Sequence, residues 1–380
     1  MKLKMWGVDM RVLIDLTSLA DNFSGIERFA LSITKELIVD NKRKDIKYIL
    51  LFKNSIHEEF KSIEPNVKSI VLKGKNKLIF NQVILPSALM KIKADYYFFP
   101  AFPAPFFFFN KKAISTIHDV GCWDCPSKNK KYMTVYFKIM YWKAAYGNKQ
   151  VVTVSEFSKE RIQIILKKSP SQINVIYDGI ADCFENFTYD IEKNKKAITE
   201  YKLPDEYLLC LSTLEPRKNL RLLVEAYDQL LTEGKVNIDL VLAGRKGWLV
   251  DDLLANLKKN TVDRIHFTGF VDDNLLPYVY RNARLFVFPS IYEGFGVPPI
   301  EAMSMGIPVV SSDAASLPEV LGNAAFFFPN RDCEGLKKEI LNVLSLTENE
   351  LSLIKKKGIK QAQKFSWKKE AEKLRNNIFI

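Results

Sequence analysis

Histidine and cysteine are scarce in this chain, with three and five in 380 residues. The cysteines (Cys122, Cys125, Cys183, Cys210 and Cys333) are odd in number and thinly spread, so no disulfide framework is expected. Cys122 and Cys125 form a single C-x-x-C. Without a second pair, a histidine pair or a thioredoxin-like setting, the spacing reads as coincidence. No stretch of eighteen or more uncharged apolar residues exists, which excludes a membrane-spanning helix. The most apolar run, Tyr96 to Phe109, is broken by Pro100, Pro103 and Pro105. A cleavable leader is not expected either. Met1 to Arg11 is mixed and polar, Val12–Leu16 reads as a buried strand, and Met10 is an alternative start. The expected compartment is therefore the cytoplasm. Low-complexity tracts and solenoid-period repeats are lacking, and Asp-x-Asp occurs nowhere.

Positive charge is present and lopsided. Residues 1–190 carry 29 lysines and arginines against 19 aspartates and glutamates, whereas residues 191–380 carry 27 against 25. A basic half suits a polyanionic partner such as a phosphorylated substrate, nucleic acid or an anionic membrane face, or it is a set of solvated helix faces.

Short apolar runs alternate with longer amphipathic stretches such as Glu27–Val39 and Lys131–Tyr146. The first series of expected strands is Val12–Leu16, Tyr48–Phe52, Tyr96–Phe99, Ala113–Ile117, Val151–Val154 and Val175–Tyr177. Beyond residue 200 the pattern restarts with Tyr207–Ser212, Asp239–Ala243, Ile265–Thr268, Leu285–Phe288, Val309–Ser311 and Ala325–Phe328. Two such series predict an α/β protein of two doubly wound domains. The polar stretch Asp182–Lys202 places their boundary, giving domains at 1–190 and 191–364. A last amphipathic helix, 365–380, is expected to pack back on the first domain.

Ligands of open α/β sheets bind at the carboxyl ends of the strands, so the residues following each strand carry the information. After the first strand, Gly25 precedes a helix, where it serves either as a plain turn or as a close approach of backbone to phosphate. His118 and Asp119 follow Ala113–Ile117, as an active-site histidine or a capped loop. After Tyr207–Ser212 come Arg217 and Lys218, two cations suited to a diphosphate, with Asn219 as the expected N-cap of the next helix. After Leu285–Phe288 come Glu293 and Glu301, eight residues apart. The intervening glycines and prolines forbid one continuous helix: Gly294–Val297 must be a loop, Pro298 or Pro299 opens a helix, and Glu301 sits in its first turn. A glycoside-hydrolase acid and base pair is the competing reading of two carboxylates. Cations across the expected cleft argue instead for an anionic leaving group that needs stabilising.

At these residues the sequence resembles the family 4 retaining glycosyltransferases of the GT-B fold, in which two Rossmann-like domains face each other across a cleft. The resemblance covers essentially the whole chain. It rests on Ser24-Gly25-Ile26-Glu27-Arg28, Ile117-His118-Asp119, Val154-Ser155-Glu156-Phe157-Ser158, Glu215-Pro216-Arg217-Lys218-Asn219, Ala243-Gly244-Arg245-Lys246-Gly247-Trp248 and the E-x7-E from Glu293 to Glu301. Within the family it is most similar to bacterial mannosyltransferases of surface-polysaccharide (O-antigen or capsule) assembly.

The resemblance implies that Arg217 and Lys218 hold the donor diphosphate, with Gly25 against it from the first domain. Glu301 would bond the ribose, while Glu293 and the amides of Phe295, Gly296 and Val297 hold the donor sugar. His118 would lie near the anomeric carbon, and the base near Arg245, Lys246 and the Gly269-Phe270-Val271 turn. Glu27 departs from the small residues common at its position, which puts that loop's contacts in doubt. The expected function is retaining transfer of a sugar, mannose from GDP-mannose, onto a lipid-linked or oligosaccharide acceptor. The lack of Asp-x-Asp implies no metal or other cofactor. Alternatives are the same fold using a UDP-sugar donor, or a non-catalytic nucleotide-sugar-binding protein. A nucleic-acid partner is not expected, because no recognised module is visible. The basic half and the aromatic segment Phe98–Phe109 suit peripheral contact with an anionic membrane, or a buried strand followed by a proline-bracketed loop.

Overall fold

The computed structural model describes residues 10–379, apart from 20–24, 42–44, 62–64, 77–78, 127–130, 214, 245–252 and 256. The chain forms two compact units, residues 1–179 with 366–380, and residues 180–365.

The first unit is built on β1 (Met10–Asp15), β2 (Ile46–Lys53), β3 (Val67–Leu72), β4 (Tyr96–Phe99), β5 (Ala113–Thr116), β6 (Gln150–Thr153) and β7 (Ile173–Val175). They form one seven-stranded sheet in the order β3-β2-β1-β4-β5-β6-β7, with every pairing parallel. Its inner strands are buried on both faces, which is why they read as apolar runs. Val12, Leu13 and Ile14 of β1 are fully buried in succession. The last helix, Trp367–Leu374, belongs to this unit and packs along helix Gly25–Asp40, with Trp367 edge-on to Phe29 at 5.5 Å.

The second unit holds β8 (Tyr207–Leu211), β9 (Asp239–Ala243), β10 (Ile265–Gly269), β11 (Leu285–Phe288), β12 (Val309–Ser312) and β13 (Phe326–Phe328). Their order is β10-β9-β8-β11-β12-β13, again all parallel. Helix Leu220–Thr232 buries Leu223, Val224, Tyr227 and Leu230 at helical spacing, in one core with Leu336, Ile340 and Val343 of helix Cys333–Leu344. In each sheet the winding reverses once, between β1 and β4 and between β8 and β11. The loops leaving those strands open a crevice at the carboxyl edge.

The units divide at Gly179/Ile180 and Phe365/Ser366, ahead of the boundary expected after residue 190. The polar stretch 182–202 is not a linker. It contributes helix Ile191–Tyr201, capped by Asp190 on the amides of Glu192 and Lys193, and reads as polar because only Ala197 of that helix is buried. At the first crossing Gly179 has no room for a side chain, since a Cβ there would lie 2.5 Å from the Trp367 amide nitrogen.

Candidate functional site

The crevice of the second unit gathers charge from the two strands that flank its switch point. Beyond β8, Pro216–Lys218 makes one tight turn, and Asn219 adopts a left-handed conformation (φ 53°) that redirects the chain into helix Leu220–Thr232. Asn219 therefore acts through its backbone. The expected side-chain N-cap is not formed. Beyond β11, Ile291 donates its amide to the Arg217 carbonyl at 2.8 Å, tying the two loops together.

Three charged side chains meet there. Lys218 Nζ donates to Glu293 Oε1 at 2.6 Å, and Arg217 Nη1 lies 3.6 Å from Glu293 Oε2. Ser290 Oγ lies 2.5 Å from the same Oε1. Burial pushes the Glu293 carboxyl upward, but Lys218, Arg217 and the Ser290 hydroxyl outweigh it and hold the group below its ordinary value. The cluster is thus an ionised carboxylate between two cations, and Arg217 Nε also lies 3.3 Å from Glu215 Oε2, so two cations face two carboxylates. Lys218 also sits over the Phe288 ring at 5.4 Å.

Helix Val297–Ser304 follows, with its prolines in the first turn and Gly296 (φ 103°) ahead of it. Glu301 lies in the second turn rather than the first. It is buried, and its Oε2 accepts from the hydroxyl of fully buried Tyr280 at 2.9 Å. Phe295 is buried against Phe365, and Ser316 Oγ lies within 3.1 Å of the carbonyls of both Glu293 and Phe295. Phe270 is exposed just past Gly269. Arg245 and Lys246 lie outside the described residues.

The first unit carries His118 beyond β5 and Gly25 at the start of its helix. His118 Nε2 lies 2.9 Å from the carbonyl of Pro100, which follows β4, and Phe29, one turn beyond Gly25, packs edge-on to the imidazole at 5.1 Å. Ser158 holds the loop by donating to the His118 carbonyl at 3.2 Å, and Arg161 clamps Asp124 with two bonds of 2.6 and 2.8 Å. A carbonyl only accepts, so Nε2 carries the proton and Nδ1 is the acceptor. Burial lowers the His118 pKa to about 4, against opposing contributions from the Pro100 carbonyl and Asp119. The imidazole is therefore neutral at physiological pH. Nitrogen NMR is expected to show one Nε2-protonated tautomer from about pH 8 down to about pH 5; a transition near the ordinary histidine value would contradict this.

Sequence reasoning brought out Arg217, Lys218 and Glu293, which the structure assembles, but not Ser290, Tyr280 or Ser316. Ser290 lies inside the glycine-rich segment, two residues past β11, a position from which a side chain can reach the crevice. Nothing in the sequence marks Tyr280 apart from other buried aromatics.

A doubly wound sheet that collects charged loops at its switch point is the architecture of nucleotide-binding enzymes. The profile described as glycosyl transferases group 1 matches residues 191–374. O-antigen chain mannosyltransferase B of Escherichia coli is 30% identical over 383 residues, covering 94% of this chain and 96% of that protein. O-antigen chain mannosyltransferase RfbU of Salmonella typhimurium is 27% identical over 61% of each chain. Among solved structures, sucrose-phosphate synthase from Thermosynechococcus elongatus superposes with a TM-score of 0.74 at 18% identity, covering 97% of this chain and 98% of that one. The fold is GT-B. The chain belongs to the group 1 glycosyltransferases.

Proposed function

We propose that this glycosyltransferase moves mannose from GDP-mannose, with retention of configuration and without a metal, onto a lipid-linked or oligosaccharide acceptor in surface-polysaccharide assembly. The observation that carries the reading is the Arg217–Lys218–Glu293 cluster at the switch point of the second sheet. As the sugar leaves, negative charge grows on the diphosphate. Two cations already fixed by a buried carboxylate stabilise that charge without reorganising during the reaction. Glu301, held by Tyr280, is suited to a ribose hydroxyl, and neutral His118 to a sugar hydroxyl as an acceptor. The acceptor hydroxyl attacks from the face the diphosphate leaves. The mannosyl and O-antigen parts of the reading are supported by the names of the two bacterial relatives.

Isothermal titration with GDP-mannose, UDP-glucose and UDP-N-acetylglucosamine tests the donor. Selective binding of GDP-mannose is expected. Selective UDP-sugar binding overturns the donor while leaving the class, and loss of turnover in EDTA overturns the metal-free mechanism.

A further inference from the structure

The buried side of helix Trp367–Leu374 reads Trp367, Glu370, Ala371 and Leu374. That is the i, i+3, i+4, i+7 spacing of an apolar stripe, with a carboxylate set into it. Glu370 is only 7% exposed. Three consecutive residues beyond β7 are engaged with this helix. Tyr177 donates its amide to Glu370 Oε2 at 3.0 Å. Lys373 Nζ lies 3.7 Å from the same oxygen and 5.3 Å from the centre of the Tyr177 ring. Gly179 abuts Trp367 with no room for a side chain. Between them, Asp178 is 6% exposed, and among the described residues no hydrogen bond reaches its carboxyl group.

Two carboxyl groups in one buried joint do not ionise together without cost, and this pair divides unequally. Glu370 has an amide and an ammonium to hold its charge, although burial still pushes its pKa upward. Asp178 has neither. Burial first, and the Glu370 charge second, push the Asp178 pKa up to about 8. Among the described residues Glu370 is the one charged group that acts on it. Lys373 is taken up by Glu370, and neither β7 nor helix Gly25–Asp40 supplies a compensating charge.

We propose that Asp178 and Glu370 form a proton-operated latch, which holds helix Trp367–Leu374 on the first unit with one proton bound and loosens as that proton passes to solvent. The closed latch keeps the Asp178 carboxyl neutral. Release of the segment exposes it to water, where it ionises at its ordinary value. The sign is that of a raised carboxyl: the stabilisation is complete below the ordinary value and is lost as pH rises through the raised one. Opening therefore becomes easier between about pH 5 and pH 8, and above that range the closed joint is ionised too and the dependence ends. Both places where the chain passes between units, Gly179/Ile180 and Phe365/Ser366, lie beside the latch in sequence, so the state of Asp178 sets how firmly the terminal segment is anchored. Neither donor nor acceptor enters this device, which stands or falls apart from the proposed function.

The test is amide hydrogen exchange of the full chain between pH 6 and pH 9, read by mass spectrometry on peptides from 366–380 and corrected for intrinsic exchange rates. Opening of helix Trp367–Leu374 is expected to rise about tenfold from pH 6 to pH 7, the slope of one released proton, and to level off above about pH 8. Asp178→Asn keeps the shape and removes the proton. Its terminal helix should exchange at least about tenfold more slowly than that of the wild type at pH 7.5, with no slope. Glu370→Gln, which removes the neighbouring charge, should keep the slope and end it at lower pH. Lys143, lowered by burial to about 8, also loses charge in this range, so the comparison with Asp178→Asn isolates the latch. A flat wild-type response overturns the proposal, as does an unchanged slope in Asp178→Asn or an unchanged upper limit in Glu370→Gln. Loss of protection shared equally by peptides of β1 and β2 also overturns it and makes the proton a control on folding of the whole unit.

Discussion

Lys218→Met is expected to lower kcat/KM by about 10²- to 10³-fold, because the proposed function sets the fixed charge of Lys218 against the leaving diphosphate. It should also destabilise the protein by about 3 kcal/mol at neutral pH, the usual scale for removing one partner of a buried ion pair. The side chains of Lys218 and Glu293 are only 12% and 7% exposed. The pH dependence separates this cause from simple loss of packing. In the wild type the carboxyl of Glu293 is held below its ordinary value. Its ionisation therefore contributes stability that is fully present above that ordinary value and is lost as pH falls through the lower folded one. Without Lys218, burial is no longer outweighed and the folded value rises. Stability is then present below the ordinary value and lost as pH climbs through the raised one. The difference in melting temperature between variant and wild type should widen from acid to neutral pH. Adding Glu293→Gln to Lys218→Met should recover most of the stability and none of the turnover. A difference that does not change with pH would show that the pairing is energetically idle.

Gly244→Ala is expected to cost about 3 kcal/mol, measured as a shift in the urea midpoint. The residue has φ 132°, and a Cβ would stand 2.0 Å from the Ser212 carbonyl oxygen. That oxygen is backbone and cannot rotate aside. Gly244 also donates to the Gly269 carbonyl at 2.9 Å, while Ser212 donates to the Ala243 carbonyl at 2.9 Å. The carboxyl ends of β8, β9 and β10 are thereby joined, and an added methyl pushes on the start of the loop that carries Arg217 and Lys218. Donor affinity should fall together with stability. Gly25 makes the contrast. Its φ is not left-handed and no described atom lies within 4 Å of a Cβ. Gly25→Ala should therefore move the midpoint by no more than about 0.5 kcal/mol, and any loss of turnover it causes would have to come from bound substrate. A Gly244→Ala protein with the wild-type midpoint would mean that the approach to Ser212 relaxes freely.

Much of this architecture is legible in the chain because parallel strands buried on both faces need consecutive apolar residues, as at Val12–Ile14 and Leu285–Phe288. Where that condition lapses, legibility ends. β3, with Lys68 and Ser69 and the exposed Val71, lies at the sheet edge and is missing from the expected strands. β7 covers Ile173–Val175 instead of Val175–Tyr177, its polar middle residue Asn174 being satisfied by the Gln150 side chain at 2.8 Å. At the site, strand ends and residue types single out Lys218 and Glu293. Their direct pairing joins positions 75 apart in sequence and depends on β8 and β11 being neighbours, which local pattern does not encode. Helix Lys131–Gly147 marks another limit. Periodicity reveals a stripe but not which side of the helix meets the sheet, and here the buried side carries a lysine.

Because the first unit is closed by residues 366–380, it is discontinuous in the order of synthesis. A ribosome adding roughly 10 residues per second needs about 20 s to travel from the first crossing to residue 380. During that interval the second unit, continuous from 180 to 365, can fold around its own core. The first must wait with the groove beside Phe29 still lacking Trp367. Of the two units, the one begun first is the last to be completed.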